Sequence, residues 1–233
     1  MNRTARRAFD QAADALNTAF EQSGPFPDQE ATPPVLADEV RKCLDICQQL
    51  DATEDTLPLE EVDELGTHAL ECLSDLGLWA WQLKADTARA TIEDSALDMA
   101  QWIARHGGQI GVLEPVVNAL ARQANATQDQ AALVALFDRA CSVIACAAPD
   151  LENATGAAAL LPWLALHFNS AIIATRTQQP GLINAACDLL ETHLPRHCAA
   201  FYAEGLHESA KSVYGDQVRA IMRERLEKWT PRS

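Results

Sequence analysis

TQDQAALVALFDRACSVIAC, residues 127–146, holds one complete helix in readable form. Leu133, Leu136, Phe137, Ala140 and Ile144 recur at steps of three and four, so they share one face of a 3.6-residue spiral. Thr127 and Gln130 form a T-x-x-Q capping box at its start. Pro149 follows its end, where a residue without an N–H cannot extend the ladder.

The same pattern repeats outward in both directions. Toward the C-terminus, the stretch from Ala157 to Ala174 is the most apolar of the chain, interrupted by His167, Asn169 and Ser170 and containing Pro162. Its unbroken part is shorter than the roughly 20 apolar residues that cross a bilayer, which predicts a central, buried helix. Leu182, Ile183, Ala186, Leu190 and Leu194 make another, closed by Pro195. Ala199 to Leu206 and then Val218, Ile221, Met222, Leu226 and Trp229 form a last pair.

Toward the N-terminus, Leu113, Val116, Val117, Leu120 and Ala124 make one face, and Ala88, Ile92, Ala96, Met99 and Ile103 another, stopped by Gly107 and Gly108. Val62, Leu65, Ala69, Cys72, Leu73 and Leu76 run on into Leu78, Trp79, Trp81 and Leu83, with Gly66 and Gly77 as weak points. Pro58 opens that helix. Thr32 and Pro33, as N-cap and first helical residue, open one carrying Val40, Cys43, Leu44, Cys47 and Leu50. Phe9, Ala12, Ala13, Leu16, Ala19 and Phe20 define a first helix over residues 2–22.

About ten helices joined by short connections favour antiparallel neighbours. The expected fold is all-α, a series of helical hairpins forming a superhelix or a multi-helix array, with a closed bundle as the other all-α arrangement. Residues 1–50 form N-terminal helices with a proline-rich linker at 23–34, and residues 51–233 form the hairpin array.

Composition narrows the function classes. The 233 residues are 48% hydrophobic and 22% charged, which suits a folded chain. Net charge is −15, and residues 1–75 hold 17 acids against five bases. Residues 51–64 alone hold seven acids and no base, part of which serves the positive end of the helix that Pro58 opens. Such a field repels phosphate, so nucleic acid and anionic membrane are expected not to be partners, whereas basic partners are favoured. Seven cysteines without a C-x-x-C pair read as small core residues in a reducing compartment, and Asp10 and Asp14 argue against a transit peptide. The expected location is cytoplasmic.

No catalytic or cofactor motif stands out, so no cofactor, catalytic residue or metal ligand is assigned. His193, His197 and Cys198 come nearest to a metal cluster, but Pro195 breaks the helix that would align the two histidines. The cysteines could serve as nucleophiles with His193 or His197 as base, and structural burial is the competing account. Trp163, His167 and Asn169 can line a pocket in the most apolar helix, with Trp163 or Phe168 stacking a flat ligand; satisfied core polar groups are the alternative. Arg105, Arg139 and Arg176, 34 and 37 residues apart, can align on stacked hairpins and grip carboxylates. Arg105 and Arg176 also lie where bases complement the negative end of a helix. Trp79 and Trp81, two apart, cannot both face one core, which leaves one as an exposed anchor unless a kink or second packing partner intervenes.

Hairpins of about 35 to 45 residues in series, with the Leu76-Gly77 step and helix-ending prolines at 149 and 180, resemble the tetratricopeptide-like family of α-α superhelices over residues 58–229. That resemblance implies a concave face that binds peptides or proteins. The expected function is a protein- or peptide-binding helical scaffold or adaptor without catalytic activity. The alternatives are an all-α small-molecule-binding protein or enzyme with a pocket near Trp163, His167 and Asn169, and a structural subunit of a homo-oligomer.

Overall fold

In the computed structural model, residues 3–24, 31–53, 56–210 and 213–230 are described. They form ten α-helices: α1 (Arg3–Gln22), α2 (Pro33–Thr53), α3 (Leu59–Gln82), α4 (Asp86–Arg105), α5 (Glu114–Ala126), α6 (Gln130–Cys146), α7 (Ala157–Arg176), α8 (Pro180–His193), α9 (Cys198–Ser209) and α10 (Asp216–Trp229). The fold is all-α. The only β-type pairing among the described residues is an isolated bridge between Ile110 and Ala147. Pro25 and Pro27 of the expected linker, and Glu54 and Asp55 of the acidic run, lie outside the described residues.

The chain divides into two compact units, residues 1–122 with 145–148, and residues 123–144 with 149–233. In the first unit α1 packs on α2 and α4, α2 on α3, and α3 on α4, which closes a ring of four helices. Phe9, Leu16, Leu44, Leu73, Ile92 and Trp102 fill its centre, each less than 2% exposed. Burying side chains of this kind stabilises by roughly 1.5–3 kcal/mol apiece before chain entropy is counted. Gly66, which reads as a weak point from sequence, is a packing notch. A Cβ there would stand 2.6 Å from Ile103 Cδ1, so glycine is what lets α3 and α4 approach.

Much of the acidity on α1 and α2 is internally matched. Arg41 bonds Asp10 (3.1 Å), Asp14 (2.8 Å) and Asp38 (2.9 Å), while Arg6 pairs with Asp10 and Asp45 and donates to the Arg41 carbonyl at 3.2 Å. Trp102 Nε1 donates to Asp51 Oδ1 at 3.1 Å, tying α4 to the end of α2.

In the second unit α7 packs on α8 and on a 3₁₀ turn at Leu151–Asn153, and α10 packs on α8 and α9. Glu191 binds this unit together: it accepts from Tyr202 Oη (3.1 Å) and Arg225 (3.0 Å) and pairs with Lys228, while Arg225 also reaches Asp188 at 2.7 Å. The expected capping box at α6 is built differently. The helix begins at Gln130, and Asp129 Oδ2 accepts from the Ala132 N–H at 2.9 Å, which makes Asp129 the N-cap. Thr127 Oγ1 accepts from the Asp129 N–H at 3.1 Å, and the Gln130 side chain donates to the Arg176 carbonyl at 3.3 Å.

By length and composition α7 is the one described helix apolar enough to cross a membrane, a test that a core helix also passes. The centrally buried helix expected here is buried on one side only. Trp163, Leu166, His167, Ser170 and Ala174 point inward, whereas Leu161 is 59% and Ile172 47% exposed, with Phe168 half-buried between them on the same stripe.

Candidate functional site

The three arginines singled out from their spacing have separate surroundings. Arg105 ends α4 in the first unit, exposed, 3.9 Å from Asp51. Arg139 and Arg176 belong to the second unit, where Arg139 is half-buried on α6. Arg176 donates to the carbonyls of Ala124 (2.6 Å) and Thr127 (2.7 Å), so its guanidinium satisfies the open C-terminal end of α5.

Trp163 and His167 do meet. Their ring centroids are 4.4 Å apart, and His193 joins them from α8 at 5.4 Å from Trp163 and 4.8 Å from His167. His167 is 2% exposed, and neither of its ring nitrogens has a hydrogen-bond partner. Burial first, and the neighbouring His193 second, push its pKa down to about 4, so it is neutral near pH 7. Asn169 is half-buried, two residues further on. At 100° per residue it leaves α7 on nearly the opposite side from His167.

The other candidate ligands are dispersed. His193 Nδ1 lies 3.8 Å from Glu152, the His197 and Phe168 rings meet in a T-shaped arrangement at 5.9 Å, and Cys198 Sγ approaches the Leu194 carbonyl at 3.4 Å. Among the described residues no group of three or more His, Cys, Asp or Glu side chains is arranged to hold a metal. Burial raises the thiols, Cys47 to about 12 and Cys72, Cys141 and Cys198 to about 11, which keeps them protonated and poor nucleophiles near neutrality.

The open surfaces lie elsewhere. On the first unit, α3, α4 and the start of α5 enclose a half-open cleft of about 320 Å³. The Trp pair behaves as its spacing requires. Trp79 turns inward, meets Phe20 edge-on at 5.1 Å and donates to the Ala31 carbonyl at 2.9 Å. Trp81 turns outward, 60% exposed, and lines the cleft beside Leu78, itself 54% exposed. The exposed carboxylates of Asp75 and Glu114 share the lining. At the cleft's base Glu93 is buried, held by Arg89 at 3.0 Å and Arg122 at 3.3 Å, and Arg122 also pairs with Asp94. These two arginines are thereby committed to the scaffold. The sequence signalled Trp81, but not the α4 and α5 walls that make a cleft around it.

On the second unit, a groove of about 380 Å³ runs between the outward stripe of α7 and α9, with Met222 of α10 beneath. Phe168 and Phe201 stack nearly parallel at 5.6 Å along it.

No family model, no curated protein and no solved structure matches this chain.

Proposed function

We propose that this protein is a non-catalytic binding scaffold whose first unit takes a basic peptide segment in the Trp81 cleft. The observation that carries this reading is the 60% exposed indole of Trp81 set among the carboxylates of Asp75 and Glu114. An exposed tryptophan beside an apolar neighbour is the usual anchor of an interface, and a guanidinium or ammonium over its face gains about 0.5–1 kcal/mol. The field supports the same sign of partner: residues 1–122 carry 22 acidic and nine basic residues. A tetratricopeptide-like arrangement of the hairpins would suit this role, because such arrays display clefts between consecutive helices.

The test is fluorescence titration with short labelled peptides graded by net charge, at low and at physiological salt. Arginine-rich peptides bind, quench Trp81 emission and weaken as salt rises. Trp81→Ala costs about tenfold in affinity, equivalent to about 1.4 kcal/mol. Affinity that ignores peptide charge, or that survives Trp81→Ala in a chain with unchanged circular dichroism, overturns the assignment.

A further inference from the structure

The outward stripe of α7 consists of Ala158, Leu161, Ala165, Phe168 and Ile172, at steps of three and four. It runs about 21 Å at 1.5 Å per residue. Leu161 is 59% and Ile172 47% exposed, Ala158 is exposed, and Ala165 and Phe168 are half-buried. Phe168 is braced by Phe201, stacked at 5.6 Å, so the stripe is a preformed surface. The helix has no Asp, Glu, Lys or Arg before Arg176, whose guanidinium is held by the carbonyls of Ala124 and Thr127.

The order of side-chain sizes along the stripe decides what fits it. Turned end for end about Ala165, the stripe matches its own image: Ala158 falls beside Ile172, Leu161 beside Phe168, and Ala165 beside itself. The small residue at the centre lets two helix axes approach to about 8 Å. Every other contact is then made twice, as an interface between two copies related by a two-fold axis requires. A charged peptide finds no counter-charge on this stripe, and an apolar one has no such residue-by-residue match. Bulk charge does not oppose pairing on this unit either. Residues 123–233 hold 11 acids and nine bases, whereas residues 1–122 hold 22 and nine, and surfaces near neutrality associate more readily. One helix face of this length covers on the order of 1,000 Å² in total, at the lower end of specific interfaces, which points to a weak, reversible dimer.

We propose that the outward stripe of α7 is a self-association face, on which two copies of the chain pair with their α7 helices antiparallel about a two-fold axis at Ala165. This pairing is independent of the Trp81 cleft, which belongs to the first unit. Sedimentation velocity on the full chain, across a dilution series spanning the micromolar range, is expected to show a monomer–dimer equilibrium. Ile172→Glu and Leu161→Glu each place a carboxylate in the apolar seam and weaken dimerisation at least about tenfold. Leu59→Glu, at a position of the first unit that is 60% exposed, leaves it unchanged.

Cysteine pairs read the register. Under mild oxidation Ala165→Cys links to itself, whereas Ala158→Cys and Ile172→Cys link only when the two variants are mixed. Peptide mass mapping separates these links from any at the half-buried native Cys141 and Cys146. A chain that stays monomeric over the series overturns the proposal, as does a dimer indifferent to both glutamates. Self-linkage of Ala158→Cys or Ile172→Cys, or its absence at Ala165→Cys, overturns the antiparallel register. A monomer that binds phosphatidylcholine vesicles and loses them on Ile172→Glu assigns the stripe to a lipid surface and overturns it as well. Unchanged circular dichroism certifies each variant.

Discussion

Lowering the pH from 7.5 to 5.0 tests the packing around His167 directly. Its imidazole is buried against Trp163 and His193 with both nitrogens unpartnered, and its pKa is pushed down to about 4. In the unfolded chain the same group titrates near 6.5. Between those values the unfolded state holds a proton that the native state refuses, so stability falls as the pH drops through this window. At pH 5.0 the unfolded imidazole is almost fully charged while the folded one is about nine-tenths neutral. The linkage is then worth about 2 kcal/mol, approaching about 3 kcal/mol below pH 4.

Other groups titrate over the same range, so the quantity to measure is the difference between the native chain and His167→Leu. Urea unfolding followed by far-ultraviolet circular dichroism at both pH values supplies it. At pH 7.5 the variant is expected to be about 1 kcal/mol more stable, because two desolvated nitrogens are replaced by apolar atoms of similar bulk. At pH 5.0 the gap widens by about 2 kcal/mol, which for a chain of this size is roughly 4–8 °C in melting temperature. A gap that is identical at both pH values refutes the reasoning. A His167 imidazole resonance, assigned by its loss in His167→Leu, that titrates near 6.5 refutes it equally, since either result means that water or a proton reaches the ring.

Other substitutions probe separate contacts. Asp129→Ala should cost about 1 kcal/mol by removing the α6 N-cap, and Thr127→Ala distinctly less, an order that thermal melts will show or reverse. Gly66→Val should destabilise by about 1–3 kcal/mol through collision with Ile103, and Ile103→Ala in the same chain should recover part of that loss in a double-mutant cycle. Burial alone would raise the Glu191 pKa, but bonds from Lys228, Arg225 and Tyr202 hold it at about 2. Its contribution is therefore present above the ordinary carboxylate value near 4.5 and lost as pH falls toward 2. Glu191→Gln should cost roughly 2–3 kcal/mol at pH 7 and much less at pH 3 in urea titrations.

Local signals told most of the helix boundaries. Pro33, Pro58, Gly107 and Pro195 mark ends where the backbone must stop or start, and those effects act within one turn. The split between Trp79 and Trp81 was legible for the same reason, since two residues along a helix is more than half a circle. Properties that depend on distant partners were not. Gly66 acquires its meaning only from Ile103, Arg176 from carbonyls near the end of α5, and the four-helix ring from contact between α1 and α4. The capping of α6 misled because Thr127 and Asp129 are both good N-caps within three residues, and the choice rests on where the helix begins. Of the candidate site residues, Trp163 and His167 come together. Of the arginine series, Arg105 lies in the first unit and Arg139 and Arg176 in the second.

The first unit is discontinuous: residues 145–148, from the far side of α6, belong to it. The Ile110 N–H donates to the Cys146 carbonyl at 2.8 Å, and the Ala148 N–H donates back to the Ile110 carbonyl at 3.0 Å. On the ribosome, the α1–α4 bundle can therefore assemble early, yet its stitching at Ile110 waits until the chain beyond α6 has emerged. A fragment cut after Arg122 would carry the bundle with that peptide group open to water, so dissecting the protein into halves for separate expression should retain the 145–148 strip.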